Sequence, residues 1–394
     1  MRAHRPIARD ARRSRGFAML IVLLISSIVI VMVAELAYQA GLELLAANNV
    51  SDIGTIEYAI DGQFEVVLGT LRHDKRQNEI DAEYDAWNEG DIRSRRDGDV
   101  ALATRVFDEQ GKFNVMRLVG GQNDAQRLRA REIFVRILDL FRDGISEDKA
   151  KGGDLDLADA EDIADRVLRH LKREGATGQV PKPKTLPAGV PLLLDELLFT
   201  DQRDDRLIGS LLRDVQTKDR VAPGLHRYIT CYSTGVGAAK INLNTAPLVV
   251  LRALFSNVQD RDYAQGIVDR RRGSSAETTE TPSAGMNPTT ADPQEGGGNP
   301  FTDVNQLSDG SVPNLTAEVL QRNGIDVGVE FDTKSDVFSV RIQGSTTRTQ
   351  RDELYVVERA KTENGQWGFR FLLHQERTDR LLEVEDDAPA VTPQ

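Results

Sequence analysis

Eighteen residues without a charge, Phe17 to Ala34, follow directly on a leader that carries six arginines and Asp10. No other feature of the chain restricts its fold as much. An apolar run of this length, continued as helix past Glu35, reaches the roughly 20 residues needed to cross a hydrocarbon core. The flanking charge is lopsided, with Arg12, Arg13 and Arg15 before the run and Glu35 and Glu43 after it. That asymmetry keeps the leader in the cytoplasm and carries the rest of the chain across the membrane. A cleaved signal peptide would need a small-residue A-x-A site after the run, and none occurs between Val31 and Ala47.

Beyond Glu35 the pattern becomes amphipathic. Leu42, Leu45, Ile53, Ile56, Ile60, Phe64, Val67 and Leu71 lie mostly three or four residues apart, which is one face of a helix. A single helix from Phe17 to Arg72 is expected, about 84 Å long at ~1.5 Å per residue. Gly41, Gly54, Gly62 and Gly69 predict bends in it. The first half would face lipid or other subunits, and the second would lay one face on a globular body.

The body is acidic. The net charge is -12, and removing the leader, whose own net charge is +5, leaves the remainder near -17. Such a surface lacks the basic patches that release counterions from nucleic acid. The single cysteine, Cys231, excludes an intrachain disulfide. The sequence carries no HExxH, P-loop, G-x-S-x-G or G-x-G-x-x-G unit, so it is read as a protein with no catalytic residues.

Strand signals bracket a helical middle. Val100 to Phe107, the turn Asp108-Glu109-Gln110-Gly111 and Lys112 to Leu118 read as a hairpin. Helices are expected over 124–141 and 158–173, a rigid loop over 181–191, short helices over 192–199 and 206–215, and a strand over 228–234. In KINLNTAPLVVLRALF, Asn244 or Thr245 is placed as a helix cap with Pro247 in the first turn. DYAQGIVDRRRG adds a helix ending at Gly273, and residues 273–300 form a Ser/Thr/Pro/Gly-rich disordered loop. Thr302 and Thr316 would open two more helices. Strands follow over 337–343, 351–360 and 367–374. The fold class is therefore α+β: a long amino-terminal helix on a small antiparallel sheet, interrupted by a large helical domain of helix-hairpin-helix type. The divisions are 1–16 leader, 17–72 long helix, 73–120 first part of the body, 121–330 inserted domain, 331–378 carboxy-terminal strands and 379–394 acidic tail.

The leader and helix resemble those of type IV pilin-like proteins, with RSRG-FAMLIVLL in the position of a prepilin peptidase site. The resemblance implies cleavage between Gly16 and Phe17 and N-methylation of Phe17. The fifth residue of the mature chain would be Ile21, where this group usually carries glutamate. That absence, the DEQGKFNVMRL turn and the block KINLNTAPLVVLRALF, AQGIVDRRR and PFTDVNQL together resemble the K-class minor pseudopilins of type II secretion systems. INLNTAP is the most specific of these motifs. FNVMRL departs from the Asn-rich end usual in that turn, and the acidic Trp-containing loop often found in the insert is not evident. The family implies a single-pass protein of the bacterial inner membrane with a periplasmic body. It implies assembly at the pseudopilus tip with I- and J-class minor pseudopilins and other pseudopilins. Ile21 suits a first subunit, because no neighbour above it supplies an ammonium to pair with. The alternatives are a pilin-like membrane-anchored DNA-binding or competence protein and a minor subunit of a type IV pilus.

Two motifs admit two readings each. DLDLADAEDIAD holds six carboxylates, and Asp154, Asp156, Asp159 and Glu161 are the candidate ligands for calcium. Leu157 and Ala158 break the alternation of an EF-hand loop, and acidic residues also suit a helix start. The helices around SNVQDRDY resemble a DNA-binding hairpin, but that stretch lacks the glycine turn whose amides would meet phosphate. RRR at 270–272 is read as a helix C-terminal charge cluster.

Overall fold

The computed structural model describes residues 11–88, 94–120, 123–143, 157–172, 194, 211–212, 215–216, 221–232, 239–273, 298–362 and 364–377. The expected loop at 181–191, residues 274–297 of the loop expected at 273–300, the helix at 192–199 except Leu194, most of that at 206–215 and the tail from 379 lie outside the described residues.

Helix α1 runs from Ala11 to Gln77 without interruption. The four glycines do not interrupt it. A Cβ added at Gly41, Gly54, Gly62 or Gly69 would meet nothing within 4 Å, so each lies on an open face. Glycine there costs roughly 1 kcal/mol against alanine and leaves the hydrogen-bond ladder whole. Burial begins later than the periodicity suggests. Leu42, Leu45 and Ile53 are exposed, whereas Ile56, Ala59, Ile60, Phe64, Val67, Leu68 and Leu71 are buried.

That buried face lies on a five-stranded antiparallel sheet. In chain order the strands are β1 Ser94–Asp97, β2 Val100–Asp108, β3 Phe113–Asn114, β4 Val215–Gln216, β5 Val221–Ala222, β6 Ile229–Thr230, β7 Ile241–Asn242, β8 Phe331–Asp332, β9 Val337–Ser345, β10 Gln350–Lys361 and β11 Trp367–Arg377. The sheet order is β1-β2-β9-β10-β11. Phe338, Val340 and Ile342 of β9 and Tyr355 and Val357 of β10 alternate onto the α1 side, joined by Val100, Leu102 and Val106 of β2. Phe64 stacks on Tyr355 with ring centroids 4.0 Å apart. At Gly344 of β9 an added Cβ would come within 2.6 Å of Ile56 Cγ2, so glycine sets how closely the helix approaches.

The expected hairpin does not form. β2 pairs with β1 on one side and β9 on the other, Glu109–Gly111 is a 3₁₀ turn, and β3 pairs in parallel with β6. Arg117–Gly120 is a helical turn. The period-2 pattern past Lys112 is too short to build a second long strand, and the chain leaves the sheet there. It re-enters at β9, beside β2, so residues 109–336 are inserted between two neighbouring strands.

Within this insert α2 Asp124–Asp143 and α3 Leu157–Lys172 follow the expected boundaries closely. Among the described residues, helices α4 Leu248–Leu254, α5 Tyr263–Arg271 and α6 Ala317–Arg322 and the single turn Val327–Glu330 follow, around a second core containing Phe113, Phe134, Phe255, Phe301 and Phe331. Cys231 is buried in that core. Of the strand expected over 228–234, Ile229–Thr230 forms β6 just after the 3₁₀ turn Leu225–Arg227, and 233–234 lie outside the described residues. Thr316 caps α6 as expected. At the 3₁₀ helix Val304–Leu307 the cap is Asp303, not Thr302; its carboxylate accepts from the Asn305 N–H. Gly273 ends α5 with φ of 70°.

Candidate functional site

Two regions carry the features singled out from sequence: the free half of α1 and the junction between body and insert.

From Phe17 to Val50 no side chain of α1 with a described environment is buried. Phe17 is 69% exposed and Ile21 41%. The run has a mean hydropathy of 2.8 over its most apolar window, with none of that window covered by the protein. An apolar surface of this extent requires lipid or other helices around it.

The junction is built by the DEQG turn and the INLNTAP block, which meet. Asp108 is buried at the end of β2. Its Oδ1 accepts from the Gln110 N–H (2.8 Å), which shapes the turn. Its Oδ2 accepts from Asn242 Nδ2 (2.9 Å), Thr245 Oγ1 (2.5 Å) and Ser335 Oγ (2.5 Å). Burial, with a smaller push from Asp81, raises the Asp108 carboxyl to about 6 against the pull of these donors. Glu109 accepts from Lys112, Ser339 and Thr230, tying insert to sheet, and Gln110 Oε1 receives the Asp336 and Val337 amides. Gly111 is required because an added Cβ would lie 2.6 Å from Thr245 Oγ1.

Neither Asn244 nor Thr245 caps α4. Pro247 occupies the cap position and no side chain bonds there. Asn244 instead grips the Phe301 backbone at both ends: Nδ2 donates to the carbonyl (2.9 Å) and Oδ1 accepts from the amide (2.7 Å). Asn242 reaches Asp81 O, Asp108 and Ser335 with its amide, and its Oδ1 accepts from the Asn244 N–H. The arginine cluster also turns inward. Arg271 is 2% exposed and donates to Leu243 O (3.1 Å), Ala246 O (2.8 Å) and Glu83 (2.8 Å). Arg270 lies over the Phe301 ring at 3.9 Å. In the stretch between α4 and α5, Asp260 is bonded to Arg322 and Asn323. Asn242, Asn244, Arg271 and Asp260 thus spend their polar groups on neighbouring elements of the protein.

Of the four calcium candidates, Asp154 and Asp156 lie outside the described residues. Asp159 and Glu161 are exposed on α3, in the acidic first turns of an amphipathic helix. Their neighbours Asp162 and Asp165 pair with Arg166 and Arg131. Among the described residues the carboxylates that do converge are Asp74, Asp81 and Asp85, where α1 ends. The sequence reading missed them because their spacing, seven and four, spans a helix end and an irregular strap.

The fold defines a class: a pilin-like body of one long amino-terminal helix on an antiparallel sheet, carrying a helical insert between two adjacent strands. Residues 241–292 match the family model of type II secretion system protein K, and the chain is similar to that family in the block from INLNTAP through the α5 arginines. A chain in the crystal structure of the GspK-GspI-GspJ complex from the type 2 secretion system of enterotoxigenic Escherichia coli shares the fold. It aligns with a TM-score of 0.51 at 14% identity, over 84% of this chain and 99% of that one. No curated protein matches the chain.

Proposed function

We propose that the chain is a K-class minor pseudopilin of a type II secretion system, a non-enzymatic subunit that caps the pseudopilus with I- and J-class partners. The observation that carries this reading is the protein K match over residues 241–292, whose described part, residues 241–273, contributes to the brace between insert and body. The solved neighbour is a three-protein complex of I, J and K components, which supports the same partners here. The exposed apolar half of α1 suits a helix that lies in the inner membrane before assembly and among other helices after it. The arginine-rich leader fixes the body on the far side, and prepilin peptidase cleaves after Gly16 to leave methylated Phe17. An insert of more than two hundred residues beside the sheet fits the end of a fibre better than its shaft.

The test is co-purification of the full chain in detergent with co-expressed I- and J-class pseudopilins, together with amino-terminal sequencing. The expected result is a ternary complex whose third member begins at Phe17. Absence of the complex, with duplex DNA retained instead at moderate salt, would favour the membrane-anchored DNA-binding alternative.

A further inference from the structure

Four arginines gather where α2 meets the end of α4. Arg129 and Arg136 of α2 reach the last carbonyls of α4: Arg136 Nε donates to Ala253 O (2.6 Å) and Arg129 Nη2 to Leu254 O (3.4 Å). Arg129 also donates through Nη1 to Asn323 O (2.9 Å) and through Nε to Glu330 Oε1 (3.1 Å), and the other Glu330 oxygen takes Arg117. Arg261 follows the 3₁₀ turn Val258–Asp260, and its charge bears on Arg136. Guanidinium groups suit the carbonyl end of a helix, which accounts for Arg129 and for the Nε of Arg136. It leaves donors over. Among the described residues, the buried Nη2 of Arg136, Nη1 of Arg117 and Nε of Arg261 have no acceptor. Arg271 and Arg359 also leave Nε without one, but both are spent through their other nitrogens. The Arg261 side chain makes no hydrogen bond or ion pair with any described residue.

The carboxylates nearby do not answer these donors. Glu330 is shared between Arg117 and Arg129, and Glu132 stands 3.9 Å from Arg136 Nη1 with half of its side chain in solvent. Asp260 is taken by Arg322 and Asn323, Asp124 by Arg127, and Asp326 by the amides of Gly328 and Val329. Asp262 is exposed, next to Arg261 in the chain. Burial, and after it the charges of Arg129 and Arg261, bring the Arg136 guanidinium down to about 10 against the pull of Glu132 and Glu330. It therefore keeps its charge at neutral pH while losing part of its hydration. Apolar surface flanks the group. Leu128 is 58% exposed, Val258 67% and Val329 47%, and they adjoin Arg129, the Arg261 turn and Glu330 respectively.

We propose that this face of the insert, centred on Arg136 and Arg261, is a docking surface for an acidic, aliphatic segment of a partner protein. An incoming carboxylate accepts from Arg136 Nη2 and from Arg261, both already partly stripped of water, so the pair forms at a reduced desolvation cost. Aliphatic side chains beside that carboxylate cover Leu128, Val258 and Val329 and shield the charge pair from solvent. Nucleic acid is the other polyanion that arginines attract. It fits worse, because Glu132, Asp262 and Asp326 are exposed around the group. Those charges repel an evenly charged phosphate backbone more than a segment that brings one or two carboxylates. The surface is built by the insert alone, apart from α1 and the sheet, so the partner is held by the helical domain. The inference is read from the side chains of the insert and stands whether or not the chain acts in secretion.

The probe is a short fluorescein-labelled peptide of glutamate and leucine, followed by anisotropy as the full chain in detergent is added. A lysine–leucine peptide of the same length reports binding to the micelle, and a labelled DNA duplex tests the phosphate alternative. Saturable binding of the glutamate–leucine peptide alone is expected. Arg261→Gln should weaken it roughly tenfold, the worth of a charge-assisted hydrogen bond. Its thermal midpoint should match the parent's, because Arg261 holds no other described group of the protein. Glu132→Gln should tighten binding about two- to fivefold by removing a competing carboxylate. Leu128→Ser should weaken it, and Arg95→Gln on the exposed strand β1 should leave it unchanged. Binding that never saturates, that the lysine–leucine peptide matches, or that survives Arg261→Gln in full overturns the surface. Retention of the duplex in place of the peptide, lost in Arg261→Gln, assigns the arginines to phosphate and overturns it as well.

Discussion

Asp74 makes the stability of this protein depend on pH in a direction opposite to the usual carboxylate. Its ordinary value of 3.8 is raised to about 7, first by burial and then by Asp85 and Asp81, against the pull of Arg359 and Lys75. The folded chain therefore keeps a proton that the unfolded chain releases between about pH 4 and 7. Stability is greatest below that window and falls as pH rises through it, by about 1.4 kcal/mol per pH unit for one proton, levelling off above 7. Asp108, raised to about 6, adds in the same sense over the lower part of the window. Thermal unfolding should show a higher midpoint at pH 5 than at pH 7.5, and Asp74→Asn should flatten that slope. A parent protein equally stable at both values would contradict the buried, uncompensated carboxyl. Nothing in the local sequence announces this. INLNTAP is visible as a polar, specific block, yet the partners of its asparagines, Phe301 and Asp81, lie 57 and 161 residues away. A cap at Asn244 was the local reading; the distant partners outcompete it because each buried amide must be satisfied in full.

At the scale of elements, long periodic segments were legible and short ones were not. The 3.6-residue pattern located α1, α2 and α3, and the period-2 pattern located β2, β9, β10 and β11, because each buries one continuous face. β3, β6, β7 and β8 have two residues each, and their existence depends on pairing across ninety or more residues, which no local pattern encodes. The α1 glycines lie on an open face and leave the helix continuous, while Ile56, Ile60 and Phe64 hold the other face to the sheet. The glycine that matters to α1 is in β9. Alanine at Gly344 would press on Ile56 Cγ2 at 2.6 Å and on Ile60 at 3.2 Å. Ile56 is β-branched and cannot swing that methyl away cheaply. Gly344→Ala should cost about 1 to 3 kcal/mol in denaturant unfolding. The cost should shrink in an Ile56→Ala background, where the obstructing methyl is gone. Equal penalties in both backgrounds would mean that the helix is not held at this contact.

For the whole molecule the controlling fact is that one helix serves two environments. Past Ile56 it is the core of a globular body; before Ile53 its surface is uncovered, and Ile21 sits near the start of that part. A glutamate at Ile21 would add a charge to the span, at a cost of about 2.5 to 3.5 kcal/mol if it stood at mid-membrane and less near the end. The uncharged run from Phe17 contains eleven other Phe, Leu, Ile and Val residues. At roughly 0.3 to 0.6 kcal/mol each, they favour insertion by about 3 to 7 kcal/mol in sum. Insertion should therefore survive Ile21→Glu. In membranes the variant should resist carbonate extraction as well as the parent, with its body open to protease from the same side. If it instead appears in the soluble fraction, Ile21 is a requirement of the span itself. In that case its aliphatic character says nothing about position in a fibre. If insertion survives, the residue is free to be set by assembly, and the same variant then distinguishes the two places a subunit can occupy. A subunit with nothing above it gains no partner for the new carboxylate, so Ile21→Glu should not increase incorporation into pseudopili. A subunit inside the shaft would gain one, and incorporation would rise.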